Sequence, residues 1–466
     1  MFAKETYIQR REQLKKTLRS GLLLFLGNDE SGMNYEDNTY DFRQDSTFLY
    51  YFGLPYAGLS AVINIDDDQT IIFGDEISID HIVWMGTQPT LREKSERVGV
   101  QQVMPSAQLP KYLQAALAKD QPVLFLPTYR PEHKLKLQEW LSLPVQQQTA
   151  SVDFIKAVVN MRNYKTDEEV AEIEKACDVT AQMHKIAYEK LQIGEKEHHI
   201  ASLVTATALA AGMRLSFPVI ATVNGQILHN HYHGNTVKED DMLLLDAGAE
   251  TEMGYAGDMS STIPAGTKFT SRQRDVYDVQ VASHLAAVAA LRPGVRFMEV
   301  YELSAKIICE GMKSLGLMKG DSEEAVKAGA HAMFFPCGLG HMMGLDVHDM
   351  ENLGEVWVGY DGQPKSTQFG RKSLRLARKL EPGFVLTIEP GVYFIPELID
   401  LWKSENKFPD FINYERLEQY RHFGGIRNEE DYLITATGAR RLGAKIPLTA
   451  DEAEVVRFKE ELEITN

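Results

Sequence analysis

Several features that mark whole classes of protein are scarce or absent in this sequence. Only three of its 466 residues are cysteine and none forms a CxxC pair, which argues against a disulfide-stapled secreted fold and favours a reducing compartment. No run of 18 apolar residues is present, so no membrane-spanning helix is predicted. The first residues, MFAKETYIQRREQLKK, lack the apolar stretch of a signal peptide. These absences predict a soluble, cytoplasmic protein with no membrane partner.

Basic residues are too few for a nucleic-acid binder. Lys and Arg number 49 against 66 Asp and Glu, which gives a formal net charge of −17. Because neutralising phosphates requires a basic surface, we expect no nucleic-acid partner. Hydrophobic residues make up 44% and charged residues 25%, an ordinary globular composition that is enough for two or three domains.

Common catalytic signatures are also missing. The sequence contains no Walker A motif, no HExxH and no GxSxG. Residues 338–344 approximate a dinucleotide-binding glycine pattern, but the last spacing is too long and the residues that follow do not open a helix. A dinucleotide-dependent oxidoreductase is therefore a remote alternative.

Hydrophobic patterning divides the chain near residue 160. Before this point, short apolar runs alternate with helical patterns and predict an α/β domain over 1–160. The predicted strands are 21–27, 61–65, 70–74 and 123–127. After it, Thr166 and Glu169 form a capping-box pattern that predicts a long helix over 167–192.

From 161 to 466 the patterns predict an α+β domain. Helices are expected over 196–212 and in a helix-rich block over 271–316. Strand-rich segments are expected over 216–265, 333–350, 384–395 and 421–437. Helices and antiparallel strands thus recur in two rounds, which indicates a loosely duplicated unit.

Acidic residues stand where apolar strands end. Asp246 follows residues 242–245, and Asp258 lies twelve positions later. A hairpin centred on residue 252 would place the two carboxylates opposite each other, with Cβ atoms about 4.5–5.5 Å apart. Such carboxylates repel unless a divalent cation lies between them. Glu389 ends another apolar strand, where a buried charge needs a partner or a metal.

Histidines and further acids complete a candidate metal set. His341 and His348 flank the glycine-rich turn, and strand alternation allows only one of the adjacent Glu429 and Glu430 to face inward. The combined set is Asp246, Asp258, His341, Glu389 and one of Glu429 and Glu430. Four carboxylates match two divalent cations, and an oxygen-rich set favours Mn²⁺, with Co²⁺, Zn²⁺ or Fe²⁺ as alternatives. Such a pair activates hydroxide at neutral pH.

Six segments form one ordered series along the second half of the chain. They are NGQILH (224–229), LLLDAGAE (243–250), GYAGDMSSTIPAGTKFT (254–270), GLGHMMGLDVHD (338–349), LEPGFVLTIEPGVYF (380–394) and FGGIRNEED (423–431). In this order they resemble the proline-specific metallopeptidases of the pita-bread fold, aminopeptidase P and prolidase. TYDFRQDSTFLYYFG (39–53) is similar to the aminopeptidase P signature, whereas LRLARKLEPG (374–383) is similar to prolidase.

The resemblance implies an architecture and a set of roles. It implies an α+β pita-bread catalytic domain over 161–466 behind a smaller α/β N-terminal domain over 1–160. The implied metal ligands are Asp246, Asp258, His341, Glu389 and Glu429. The implied catalytic residues are His229, His348, Glu389 and Arg427, and the implied substrate-binding residues are His229, His348, Arg375, Tyr393 and Arg427.

The function that the resemblance implies is hydrolysis of the Xaa-Pro bond at peptide N-termini. The substrate would be a peptide with proline in second position, and the protein would be a homodimer or a dimer of dimers. Prolidase action on dipeptides is the main alternative, and a catalytically inactive peptide-binding protein is a further one. Cys337 departs from the family pattern, which usually has histidine there, and Asn428 replaces a usually apolar residue.

Overall fold

The computed structural model describes residues 1–464 and divides into two compact units. Unit 1 comprises Met1–Arg162 and Met350–Trp357, and unit 2 comprises Asn163–Asp349 and the chain from Val358 onward. No helix in the described residues is both long enough and apolar enough to cross a bilayer.

Both units contain helices and strands. The helices are α1 (Lys4–Leu18), α2 (Ser46–Phe52), α3 (Ile79–Met85), α4 (Leu91–Glu96), α5 (Leu109–Leu117), α6 (Pro131–Leu141), α7 (Val152–Arg162), α8 (Asp167–Lys190), α9 (Glu197–Ala210), α10 (Ser271–Ala290), α11 (Phe297–Ser314), α12 (Ser322–Ala328), α13 (Glu355–Val358), α14 (Pro396–Ser404), α15 (Tyr414–Leu417) and α16 (Ala450–Ile464). The strands are β1 (Leu22–Leu26), β2 (Ser60–Asn64), β3 (Gln69–Phe73), β4 (Gln102–Met104), β5 (Val123–Leu124), β6 (Arg214–Leu215), β7 (Ile220–Thr222), β8 (Met242–Ala247), β9 (Ala249–Glu250), β10 (Met259–Pro264), β11 (Val385–Ile388), β12 (Gly391–Tyr393), β13 (Gly425–Arg427), β14 (Glu430–Ile434) and β15 (Ala439–Arg441).

Unit 1 is built on a five-stranded sheet of order β4-β3-β2-β1-β5. The three central strands pair antiparallel, and the two outer strands pair parallel to their neighbours. The predicted strands at 21–27, 61–65 and 70–74 are confirmed as β1, β2 and β3. The strand predicted over 123–127 is shorter, because only Val123 and Leu124 have partners in β1. Apolar side chains of β1–β3, α5 and α6 form the core of the unit.

Unit 2 opens with the predicted capping box. The Thr166 hydroxyl accepts the N–H of Glu169, and the Glu169 carboxylate accepts the N–H of Thr166, so α8 begins at Asp167 as expected. The pairs α8–α9 and α10–α11 accompany two antiparallel three-stranded sheets, β10-β8-β7 and β11-β14-β15. An isolated bridge between Ser260 and Glu429 brings the end of β13 against β10.

The prediction of a strand-rich segment over 333–350 is wrong. After a 3-10 turn at Ala330–Met333, this segment is a buried loop, and only Met342 forms a bridge, with Leu386 of β11. The loop packs tightly against β11, since a Cβ added to Gly340 would lie 2.0 Å from the Thr387 carbonyl oxygen. Glycine therefore permits an approach that a strand of larger residues would prevent.

Candidate metal centre

The hairpin of β8 and β10 presents the first two acids. Asp246 pairs with Ser260, so the predicted pairing of Asp246 with Asp258 is wrong. The turn is centred on Met253 rather than on residue 252, and a shift of one residue in the centre moves the register by two. Two residues are one full strand period, so Asp258 still lies on the same face as Asp246.

The alternation of β13 and β14 separates the two adjacent glutamates. Glu429 lines the cleft, its N–H donates to the Ser260 carbonyl at 2.9 Å and its Oε2 accepts the Ser260 hydroxyl at 2.8 Å. Glu430 accepts the Tyr432 hydroxyl at 2.6 Å and lies 3.4 Å from His284 on α10. The structure therefore brings Glu429, and not Glu430, to the metal set.

His341 enters from the buried loop that follows the 3-10 turn. Its backbone N–H donates to the Thr387 hydroxyl and its carbonyl accepts the Thr387 N–H, so both ends of the residue are fixed on β11. Its Nε2 lies 3.4 Å from Asp258 Oδ2 and 3.6 Å from Glu389 Oε1. Its ring lies against that of His348, with centroids 4.3 Å apart.

The electrostatics of this cluster favour a bound cation. Burial and the charge of Glu429 raise the pKa of Asp258 well above its ordinary value, and burial with Glu389 does the same to the pKa of Glu429. Burial also raises the pKa of Glu389 to about 7. Each of these shifts reports a carboxylate whose negative charge is costly here unless a positive charge lies close by.

Three of the predicted metal ligands each carry a buried carboxylate oxygen with no hydrogen-bond partner in the described residues. These oxygens are Asp246 Oδ1, Asp258 Oδ1 and Glu429 Oε1. Ligand atoms of Asp258, His341 and Glu429 lie within 4.8 Å of one another. Oxygen atoms that are buried, anionic and free of protein donors are the donor set that hard divalent cations take. The residues present therefore fit a divalent metal.

Arg427 on β13 joins several of these groups. Its Nη2 donates to Asp246 Oδ2 at 2.6 Å, and its Nε donates to the Ser260 hydroxyl at 3.0 Å. Its Nη1 donates to the Tyr393 hydroxyl at 2.8 Å, and its Nη2 also donates to the Leu228 carbonyl at 3.3 Å. With four of five N–H groups engaged by protein, the guanidinium chiefly orients Asp246.

Two buried polar residues in this network carry no sequence prediction. Ser260 bridges Glu429 and Arg427, and Asp431 Oδ2 accepts the backbone N–H of Asp258 and the thiol of Cys177, both at 3.1 Å. Ser260 lies two positions after Asp258, so the strand period alone places it on the same face. Asp431 has the equivalent signal, since it lies two positions after Glu429.

All ten predicted site residues line one cleft of about 540 Å³. They are His229, Asp246, Asp258, His341, His348, Arg375, Glu389, Tyr393, Arg427 and Glu429. Burial and the nearby Arg427 charge lower the pKa of His229, which favours the neutral imidazole. Cys337 lines the same cleft, and burial raises the pKa of its thiol to about 12.

The four acids and the histidines that line the cleft fit a metal-dependent hydrolase, and the family comparison specifies the class. The model of metallopeptidase family M24 matches residues 171–436, more than half of the chain, and the N-terminal domain of aminopeptidase P matches residues 7–125. The chain belongs to metallopeptidase family M24. The predicted family resemblance and the predicted enzyme class, a metallopeptidase, are confirmed.

Curated relatives match nearly the whole length of the chain. Human Xaa-Pro dipeptidase is 30% identical over 455 residues, which cover 95% of this chain and 90% of the relative. Xaa-Pro aminopeptidase of Escherichia coli K12 is 30% identical over 470 residues, covering 97% and 98%.

Solved structures confirm the predicted fold class. A histidine-to-alanine variant of Escherichia coli aminopeptidase P superposes with a TM-score of 0.81 at 29% identity over 99% of both chains. A glutamate-to-alanine variant of the same protein in complex with substrate has a TM-score of 0.80 at 29% identity. The mixed fold, with a smaller N-terminal domain before an α+β catalytic domain, is therefore that of aminopeptidase P.

Proposed function

We propose that the protein is an Xaa-Pro aminopeptidase, a metallo-exopeptidase that removes the first residue from peptides with proline in second position. The observation that carries this proposal is the convergence of four carboxylates and His341 on one cleft. The match of residues 7–125 to the aminopeptidase P N-terminal domain and the likeness to the Escherichia coli aminopeptidase support the exopeptidase assignment.

The proposed cofactor is a pair of divalent metal ions, Mn²⁺ first, with Co²⁺, Zn²⁺ or Fe²⁺ as alternatives. The residues proposed to hold them are Asp246, Asp258, His341, Glu389 and Glu429. An oxygen-rich set with a single imidazole and no thiolate supports the harder metals. When bound, such ions polarise the scissile carbonyl and lower the pKa of a water nucleophile.

Three cleft residues are proposed to act on the substrate directly. Glu389 lines the cleft 3.6 Å from His341 Nε2, and its carboxylate is proposed to take a proton from the water nucleophile and pass it to the leaving proline nitrogen. His229 and His348 line the same cleft and are proposed to donate hydrogen bonds to the negative charge that develops on the carbonyl oxygen. Arg427 is proposed to hold Asp246 and Tyr393 in place.

The walls of the cleft support a preference for proline. Phe217, Ile220 and Val347 line it beside the polar groups, so an apolar ring has surface to pack against. Proline lacks the N–H to which most peptidases hydrogen-bond, so those enzymes lose binding energy with it. A site that packs against the ring instead gains binding energy from proline.

Dipeptide hydrolysis, as in prolidase, is the second candidate because of Arg375. This arginine lines the cleft together with Arg427 and is a donor suited to the terminal carboxylate of an Xaa-Pro dipeptide. The likeness to human Xaa-Pro dipeptidase also supports it.

A single panel tests these proposals. Purified protein is loaded with Mn²⁺, its metal content is measured, and hydrolysis of Xaa-Pro-Yaa, Xaa-Pro and Xaa-Ala-Yaa peptides is compared. We expect about two ions per chain. We also expect cleavage of Xaa-Pro-Yaa and little cleavage of Xaa-Ala-Yaa. Faster cleavage of Xaa-Pro would favour the dipeptidase, and absence of both metal and cleavage would leave a peptide-binding protein.

Domain division, assembly and compartment complete the proposal. We propose an N-terminal domain over 1–160 and a catalytic domain over 161–466, in a homodimer or a dimer of dimers. Exposed apolar side chains on α3, among them Trp84 at 85% exposure, support self-association. Light scattering of the purified protein measures the subunit number. Three free cysteines support a cytoplasmic location, which fractionation tests.

A further inference from the structure

A loop without regular secondary structure forms one wall of the cleft. We call residues 223–235 the mouth loop; it leaves β7 and returns before β8. Leu228 and His229 of this loop line the cleft, and the Leu228 carbonyl accepts a hydrogen bond from the Arg427 guanidinium. At its outer side Ile227 is 50% and Tyr232 65% exposed. The loop therefore links the solvent-facing rim to a residue proposed to act on the substrate.

Both ends of the mouth loop are held by one carboxylate. Glu197, in the first turn of α9, is fully buried. Its Oε1 accepts the N–H of Val223 at 2.8 Å, and its Oε2 accepts the N–H of Asn235 at 3.1 Å. The Asn235 side-chain amide donates to both oxygens, and the Glu197 N–H donates back to the Asn235 carbonyl.

The donors to Glu197 are all neutral. Besides the Val223 and Asn235 groups, the Thr222 hydroxyl donates to Oε1 at 3.1 Å. That hydroxyl also accepts the side-chain amide of Asn230, the residue after His229, at 2.9 Å. A buried carboxylate is energetically costly unless its oxygens are fully hydrogen-bonded. If the two ends of the mouth loop moved apart, Glu197 would lose the donors from Val223 or Asn235 and remain buried without them. Glu197 therefore stabilises the closed loop, in which both ends are bonded to its carboxylate.

We propose that Glu197 is a positioning residue that closes the mouth loop and thereby sets the position of His229 in the cleft. In the described part of the chain, Glu197 forms no hydrogen bond with a residue that lines the cleft. It acts through Val223, Asn235 and the Thr222–Asn230 contact. The kinetic part of this inference rests on the proposed peptidase function, whereas closure of the loop is measurable without it.

The test compares Glu197→Gln with Glu299→Gln in the metal-loaded enzyme. Glu299 stands in the first turn of α11 but is exposed, so it controls for the loss of an acid at a helix start. In Glu197→Gln one acceptor oxygen becomes an NH₂ that faces donors. We expect amide exchange in residues 223–235 to rise about tenfold and kcat/KM for Xaa-Pro-Yaa to fall about tenfold to hundredfold. Metal content should stay unchanged, as should every property of Glu299→Gln.

A second background separates positioning from general loss of structure. If Glu197 acts through His229, the Glu197→Gln change should lower kcat/KM little or not at all in a His229→Ala enzyme. An equal fall in both backgrounds, or loop exchange within twofold of wild type, overturns the inference. If wild type cleaves no Xaa-Pro peptide, the proposed function fails, and the exchange comparison alone decides loop closure. Should Glu197→Gln not fold, Asn235→Ala, which removes only the side-chain donors, must raise loop exchange in the same direction.

Discussion

Replacing Ser260 with alanine tests whether the network behind the metal set controls its affinity. The Ser260 hydroxyl is fully buried, donates to Glu429 at 2.8 Å and accepts from Arg427 at 3.0 Å. Both partners are charged, and each such bond contributes about 1.5–3 kcal/mol. Without the hydroxyl, Glu429 loses the contact that fixes its Oε2. Changes of this kind typically weaken metal binding about 10- to 100-fold, which is about 1.4–2.8 kcal/mol of binding free energy.

Ser261 provides a matched control one position away. Its hydroxyl is also buried but faces α8, where it bonds His184 Nδ1 at 2.8 Å while His184 Nε2 donates to the Met259 carbonyl. Ser261→Ala should lower the free energy of unfolding by about 1–3 kcal/mol and leave metal affinity unchanged. Competition with a chelator measures affinity, and urea unfolding measures stability. Equal weakening of metal binding by both variants, or none by Ser260→Ala, would refute the reasoning.

Three further changes have expected outcomes. Asp258→Asn should release at least one metal ion per chain and abolish turnover, as measured by elemental analysis and peptide hydrolysis; full activity contradicts the ligand assignment. Arg375→Met should lower kcat/KM for Xaa-Pro dipeptides about tenfold more than for Xaa-Pro-Yaa, since only the dipeptide has its carboxylate there; equal effects argue against this contact. Burial and the Arg371 charge lower the pKa of His331 from its ordinary value to about 4. The unfolded chain therefore takes up this proton near pH 6.5 and the folded protein only near pH 4, so stability falls by about 3 kcal/mol as pH drops through that window. Urea unfolding of His331→Gln, which should show a flatter pH profile than wild type between pH 6.5 and 4, measures the effect.

The site was predictable from the sequence where charge conflicts with its surroundings. Asp246 and Glu389 lie at the ends of apolar strands, where a buried charge needs either a partner or a metal. The register was not predictable, because the turn of the hairpin contains Glu252, Met253 and Gly254, any of which is a reasonable centre. The segment 333–350 has the apolar content of a strand, but glycine-permitted packing, which patterns do not report, makes it a loop.

Residues that act through others escaped sequence reasoning for a different reason. Ser260 is an uncharged polar residue in a buried strand, which composition alone does not distinguish from a harmless hydroxyl. Glu197 stands in the first turn of a helix, where an acid is ordinarily explained by the helix dipole. Only the positions of its hydrogen-bond donors in the folded protein show that this carboxylate joins the two ends of a loop.

The carboxylate oxygens of Asp246, Asp258 and Glu429 that lack hydrogen-bond partners also affect how the polypeptide folds. Asp246 and Asp258 share one hairpin, but Glu429 comes from a segment far along the chain. The unfolded polypeptide therefore offers no comparable chelate, and cation binding contributes to the free energy of folding. A cell starved of suitable ions would then hold a looser, more protease-sensitive protein. Abundance as well as turnover would follow the supply of the metal.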